Sequence, residues 1–184
     1  MPDIPPSPWV CRFAPLIRAG GSVLDVACGA GRHARLLAGM GYQVTAVDLG
    51  APALVALEGL QGITTRVADL EHAPWPFGTA CFDGVIVINY LFRPRFAALV
   101  DALRPGGVLI YETFMDGNET LGKPSNPDFL LHPGELLDRV RTHLTVVAFE
   151  QGLVKHPKPA FVQRICAVAA GIGRLPDLAQ VRTS

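Results

Sequence analysis

Apolar residues fall along the chain in short runs separated by polar or glycine-rich punctuation, and a strand-like and a helix-like spacing alternate. Runs at 22–27, 42–48, 63–67, 82–88 and 108–113 are rich in Val, Ile and Leu and have strand length. The run Phe82-Asp83-Gly84-Val85-Ile86-Val87-Ile88 is apolar almost throughout, which predicts a strand covered on both faces. Between the runs, residues 32–39, 52–60 and 95–103 carry helical spacing with glycine or proline at their ends. A short helix is predicted from residue 8 and broken near Pro15, and another over 133–141. Residues 144–149 and 160–169, joined by the turn-rich stretch 151–159, read as a closing hairpin. Strands alternating with helices predict an α/β fold, a doubly wound and mostly parallel sheet to which the hairpin adds a C-terminal antiparallel strand. Residues 1–8 are proline-rich and expected to be mobile, 114–132 form a long loop, and 171–184 are polar and expected to fray.

The stretch Val23-Leu-Asp-Val-Ala-Cys-Gly-Ala-Gly-Arg-His-Ala34 organises the rest. It reads as a strand, a glycine turn and the first turn of a helix, an arrangement that brings backbone N–H groups up to a ligand. Gly29-Ala-Gly-Arg-His-Ala34 fits a dinucleotide pattern, and Asp48 ends the next apolar run where a ribose-binding acid belongs. Asp25, inside the strand, changes that picture. A buried carboxylate with no partner is expensive. A ligand with a cationic amino group would supply one, directly or through water; S-adenosylmethionine has such a group and NAD does not.

Asp25-Val-Ala-Cys-Gly-Ala-Gly31 resembles the first motif of class I S-adenosylmethionine-dependent methyltransferases, departing at Ala27, where that family more often has glycine. The resemblance implies a Rossmann-like sheet of seven strands with one reversed. It also implies that Asp25, Ala27, Gly29 and Gly31 border the amino-acid end of S-adenosylmethionine. In the same scheme Asp48 and Leu49 meet the ribose and its surroundings, Asp69 and Leu70 the adenine, and Asn89 the point where the methyl leaves. Leu103-Arg-Pro-Gly-Gly107 is common before the fifth strand of such enzymes. Asp69 also suits a turn cap, and Asn89 a structural turn residue. Cys28 reads as a space-filling residue, and Arg32 and His33 as groups on a helix surface.

Candidates for the acceptor side are Asn89, Tyr90, Arg93, Tyr111 and Glu112, with His132 and Arg164 behind them. Asn89-Tyr-Leu-Phe92 lacks the D/N-P-P-Y/F pattern that the resemblance would require of enzymes acting on exocyclic base amines. The loop through Phe129–Leu136, with Gly-Arg-His at 31–33, looks like the matching regions of small tellurite-resistance-type methyltransferases. An acceptor closed over by the N-terminal segment and this loop is expected.

Composition narrows the classes further. At 184 residues the chain suggests one domain, residues 1–184. Lys+Arg and Asp+Glu are both 16, a balance that argues against gripping nucleic acid by bulk charge. Cys11, Cys28, Cys81 and Cys166 form no C-x-x-C pair, so neither a metal site nor a disulfide framework is expected. No signal-peptide pattern opens the chain, and a cytoplasmic protein with a small-molecule substrate is expected. The rival readings are an NAD(P)-dependent oxidoreductase and a non-catalytic S-adenosylmethionine-binding regulatory protein.

Overall fold

The computed structural model describes residues 4–170; the tail expected to fray, 171–184, lies outside the described residues. The chain runs β1 (Ser22–Val26), β2 (Gln43–Asp48), β3 (Ile63–Val67), β4 (Phe82–Ile88), β5 (Leu103–Phe114), β6 (Leu144–Val154) and β7 (Ala160–Ala169). Helices α1 (Pro8–Phe13), α2 (Arg32–Gly39), α3 (Ala51–Val55), α4 (Phe96–Asp101) and α5 (Glu135–Arg141) lie before and between them. These strands form one sheet of seven in the order β3-β2-β1-β4-β5-β7-β6. All neighbours are parallel except β7, which runs against both β5 and β6. The order reverses between β1 and β4, so the crevice outside their carboxyl ends is where such sheets bind ligands.

Alternation along the strands gives the sheet two apolar faces. Leu24, Val26, Val85, Val87, Leu109 and Tyr111 pack on one side with α4 and α5. Val23, Ile86, Ile88, Val108 and Ile110 pack on the other with α1 and α2. Every residue of β4 is buried, as its unbroken apolar run predicts.

Several elements depart from their expected limits. The helix expected over 52–60 is helical only to Val55; the chain continues to Leu60 in tighter i→i+3 turns, and Gly59 and Gly62 take φ of +74° and +78°. Arg104–Gly107 does not stand outside the fifth strand as a stop. Leu103 already pairs with Phe82, and the register shifts before Gly84 meets Val108, leaving the prolyl-diglycine stretch as a bulge. The hairpin is longer than expected, since pairing continues to Val154↔Ala160. The N-terminal segment is not free at its inner end: Ser7 is buried, and its side chain caps α1 by accepting from the Trp9 N–H.

At the end of the sheet away from the crevice, Asp83 collects charge-assisted hydrogen bonds. Arg18 donates to both its oxygens, and the Ser22 N–H (2.8 Å), the Ser22 hydroxyl (3.0 Å) and Arg104 (2.8 Å) all donate to Oδ2. Burial opposes ionisation of Asp83, but these donors outweigh it and hold its pKa at about 2. A group ionised more readily when folded adds stability above its ordinary pKa, and that stability fades as pH falls toward 2. Asp83→Asn is therefore expected to cost roughly 2–4 kcal/mol in urea unfolding at pH 7. The deficit against wild type should shrink between pH 4 and pH 2, and a deficit independent of pH would contradict this account.

Candidate active site

The chain leaves β1 through a left-handed turn. Ala27, Gly29 and Gly31 take φ of +51°, +53° and +73°. Alanine at the first of these positions is strained, since its Cβ crowds the following carbonyl. A Cβ on Gly31 would lie 2.3 Å from Leu57 Cδ1, so close packing also demands glycine there. A Cβ on Gly29 would meet nothing within 4 Å, and that face of the turn is open. Asp48, at the end of β2, fixes the turn from the side: Oδ2 accepts the Gly29 N–H and Oδ1 the Gly50 N–H, both at 2.8 Å. Each oxygen keeps a second lone pair for a ligand. Beside it Leu49 is 67% exposed, an unpartnered apolar side chain at the mouth of the crevice.

Asp25 lies beneath this turn, 1% exposed, and its Oδ2 has no hydrogen-bond partner among the described residues. Burial pushes its pKa up to about 7, against the Ala34 backbone N–H and the Arg32 charge, which favour ionisation. An orphaned carboxylate oxygen next to an open glycine turn suits a ligand that brings a cation or N–H donors. Cys28 is pushed up to about 12, mainly by burial, so its thiol stays protonated and space-filling.

The adenine-side expectations fare differently. Asp69 caps the turn after it, Oδ1 accepting the N–H groups of Glu71 and His72 at 2.9 Å each, and Oδ2 lies 3.3 Å from His72 Nδ1. Leu70 is buried in the apolar cluster, and its carbonyl accepts from Arg95. Asn89 closes β4 in a left-handed conformation, φ +58°, with its N–H donating to the Glu112 carbonyl, and its side chain is exposed.

The acceptor-side candidates do not converge. Arg93 forks onto Glu135 (2.7 and 2.8 Å) and also donates to the carbonyls of Asp128 and Leu130. That ties the 114–132 loop to the β4 side and leaves no free nitrogen for an acceptor. Burial disfavours the Glu135 carboxylate, but the bonds from Arg93, the His132 N–H and Arg139 prevail and hold its pKa at about 2. Tyr111 is 1% exposed on the α4 and α5 face, with its hydroxyl donating to the Tyr90 carbonyl at 2.8 Å. Burial raises the pKa of both tyrosines. These are contacts of the core and of the 114–132 loop, a correction to reading Arg93 and Tyr111 as substrate groups. His132 pairs with Asp116 at 2.9 Å, and Arg164 with Glu150 at 2.6 Å. Glu112 alone of the β5 candidates lies on the face of Ile110 and α2, opposite Ile88 at the end of β4. Burial raises its pKa, against the Ser7 hydroxyl and the Arg164 charge.

Sequence reasoning missed two members of this neighbourhood. His33 is not a surface group but 3% exposed, and its Nε2 accepts the Ser7 N–H at 3.0 Å. Gln163, fully buried on β7, accepts the Leu136 N–H and donates to the His132 carbonyl, pinning the far end of the long loop. For His33 a signal existed: residues 33, 34 and 37 share the buried side of α2.

Comparison with known proteins now bears on the arrangement. The methyltransferase domain family matches residues 23–107, from β1 into β5. A tRNA U34 carboxymethyltransferase of Trichlorobacter lovleyi is 34% identical over 119 residues, 56% of this chain and 36% of that protein. A ubiquinone biosynthesis O-methyltransferase of Xylella fastidiosa is 36% identical over 126 residues, 61% of this chain and 48% of the relative. The chain thus spans less than half the length of these curated relatives. Among solved structures, TehB from Haemophilus influenzae superposes with a TM-score of 0.72 at 20% identity, covering 87% of this chain and 61% of that one. Fold, glycine turn and family match agree over residues 23–107, which are similar to the methyltransferase domain family.

Proposed function

We propose that this protein binds S-adenosylmethionine across the carboxyl ends of β1, β2 and β4 and transfers its methyl group to a small-molecule acceptor. The observation that carries the reading is the buried, half-partnered Asp25 under an open glycine turn. Asp25 faces the ammonium of the cofactor, Gly29 and Gly31 admit its backbone, Asp48 receives the ribose hydroxyls, and Leu49 covers an apolar surface. Asp69 and Leu70 border the adenine from the far side, and Asn89 lines the path to the acceptor. When bound, the cofactor would supply an electrophilic methyl on sulfonium sulfur.

The chain's own contribution is positioning and exclusion of water, which can supply most of the acceleration of such a displacement. Glu112, held by Ser7 and Arg164, is a carboxylate on this face able to take a proton from an acceptor hydroxyl. The O-methyltransferase among the relatives acts, by its name, at oxygen, which supports a hydroxyl acceptor here. The formal charge balance supports a small molecule over nucleic acid, whose grip needs a basic face. No described helix is long and apolar enough to cross a membrane, and we place the protein in the cytoplasm.

Thermal unfolding with S-adenosylmethionine, S-adenosylhomocysteine, NADH or NADPH tests the cofactor. At about 100 times its dissociation constant, a ligand stabilises by roughly 2.7 kcal/mol. A shift with the two sulfur nucleosides, abolished in Asp48→Ala, is expected; a shift with a nicotinamide nucleotide alone would overturn the reading.

Asp25 gives a second prediction. Its pKa is raised on folding, so the folded state is penalised as pH rises from about 4, fully above about 7. Ligand-free Asp25→Asn should therefore be more stable than wild type by roughly 1–3 kcal/mol at pH 8, little changed at pH 4, and unable to bind the cofactor tightly. A variant that keeps wild-type affinity would show that Asp25 serves the fold alone.

A further inference from the structure

Ser7 stands where the N-terminal segment crosses from the first turn of α2 to the carboxyl end of β5, and its backbone and side chain are both engaged there. Its N–H donates to His33 Nε2 at 3.0 Å, and its hydroxyl donates to Glu112 Oε1 at 3.1 Å. The same hydroxyl oxygen accepts the Trp9 N–H at 3.1 Å. Just upstream, the Pro5 carbonyl accepts from Arg32 Nη1 at 3.3 Å, and the two prolines restrict the backbone to few paths. Ser7 and His33 are 5% and 3% exposed, so the junction is dry. His33 accepts at Nε2 only as the neutral imidazole, and burial, with Arg32 nearby, keeps it so by lowering its pKa to about 4.

These bonds join parts that no sheet pairing connects. His33 lies two residues beyond Gly31, and Glu112 shares its backbone with the N–H of Asn89. The strap, residues 5–7, therefore touches the first turn of α2, just beyond the glycine turn, through one group of Ser7 and Glu112 through another. Asp25 lies on the same face of the sheet, and its neighbours are Ala34, whose backbone N–H it accepts, and Arg32, the residues on either side of His33.

We propose that residues 5–7 are part of the cofactor site itself, closing over its amino-acid end, with Ser7 as the positioning residue that couples strap, glycine turn and Glu112. The inference rests on the cofactor reading above and adds members to that site: Pro5, Ser7 and His33. A ligand held between turn and strap leaves only when the strap lifts, so breaking the Ser7 bonds speeds its departure. Coupling is reciprocal, and the ligand in turn holds the strap down.

The test uses the full chain with S-adenosylhomocysteine as the probe. Dissociation is followed by stopped-flow displacement for wild type, Ser7→Ala and His33→Leu. Each variant is expected to release the probe about fivefold faster or more, the worth of one lost hydrogen bond. The double variant should be little faster than the faster single one, because both cut the same strap. In wild type, the probe should also slow amide exchange across residues 4–12, an arm that does not depend on variant folding. Lower thermal stability with unchanged dissociation would make Ser7 a structural residue only and overturn the proposal, as would exchange in 4–12 unaffected by the probe. If wild type fails to bind the probe at all, the cofactor reading falls and the strap with it; binding with unchanged release removes the strap alone.

Discussion

A carboxylate buried at the carboxyl end of a central parallel strand is the constraint around which this structure is arranged. Asp25 has apolar neighbours on its own strand and lies beneath a turn whose backbone is forced left-handed at Ala27, Gly29 and Gly31. Nothing in the folding of a doubly wound sheet asks for an acid there, and its burial works against folding at neutral pH. The cost makes sense only if something else supplies the missing partner. Asp48 shows the contrast: its two oxygens take backbone N–H groups and shape the turn, so it serves structure and ligand together.

Around that centre the chain separates its duties by face and by end of the sheet. Asp83, at the far end, collects Arg18, Ser22 and Arg104 and locks the entries of β1 and β4. On the α4 and α5 face, the Arg93–Glu135 fork and Gln163 hold the long loop as a fixed wall. On the α1 and α2 face, Ser7 joins His33 to Glu112, and Asp25 lies on the same side of the sheet. Polar chemistry left on this one face, beside the point where strand order reverses, is what a binding crevice requires.

Most of the fold was legible because its signals are local. The unbroken apolar run of β4, the proline at the start of α1 and the glycines ending α2 each have one physical reading, and their alternation points to a mostly parallel sheet. The glycine turn was legible for the same reason, since Asp25 and the spaced glycines are neighbours in sequence. The acceptor side was not. Whether Arg93 faces an acceptor or Glu135 depends on a residue 42 positions away, and the Ser7–Glu112 contact spans 105. Tyr111 and Glu112 differ by one position and so point to opposite faces, which the pattern around them did not decide. The turn-rich sequence 151–154 misled because β7 offers it a complete ladder, which outweighs the weak strand preference of Gly152.

The central claim is that Asp25 is kept for a cationic ligand, and proton exchange on binding tests it most directly. Near pH 7 an acid with a pKa of about 7 is about half protonated, and an ammonium placed against it drives that proton off. Calorimetric titration of S-adenosylmethionine in two buffers of different ionisation enthalpy counts protons released. The account predicts that wild type releases more protons than Asp25→Asn at pH 7, a difference that vanishes at pH 9. Equal proton exchange in the two proteins, with both still binding, would contradict it.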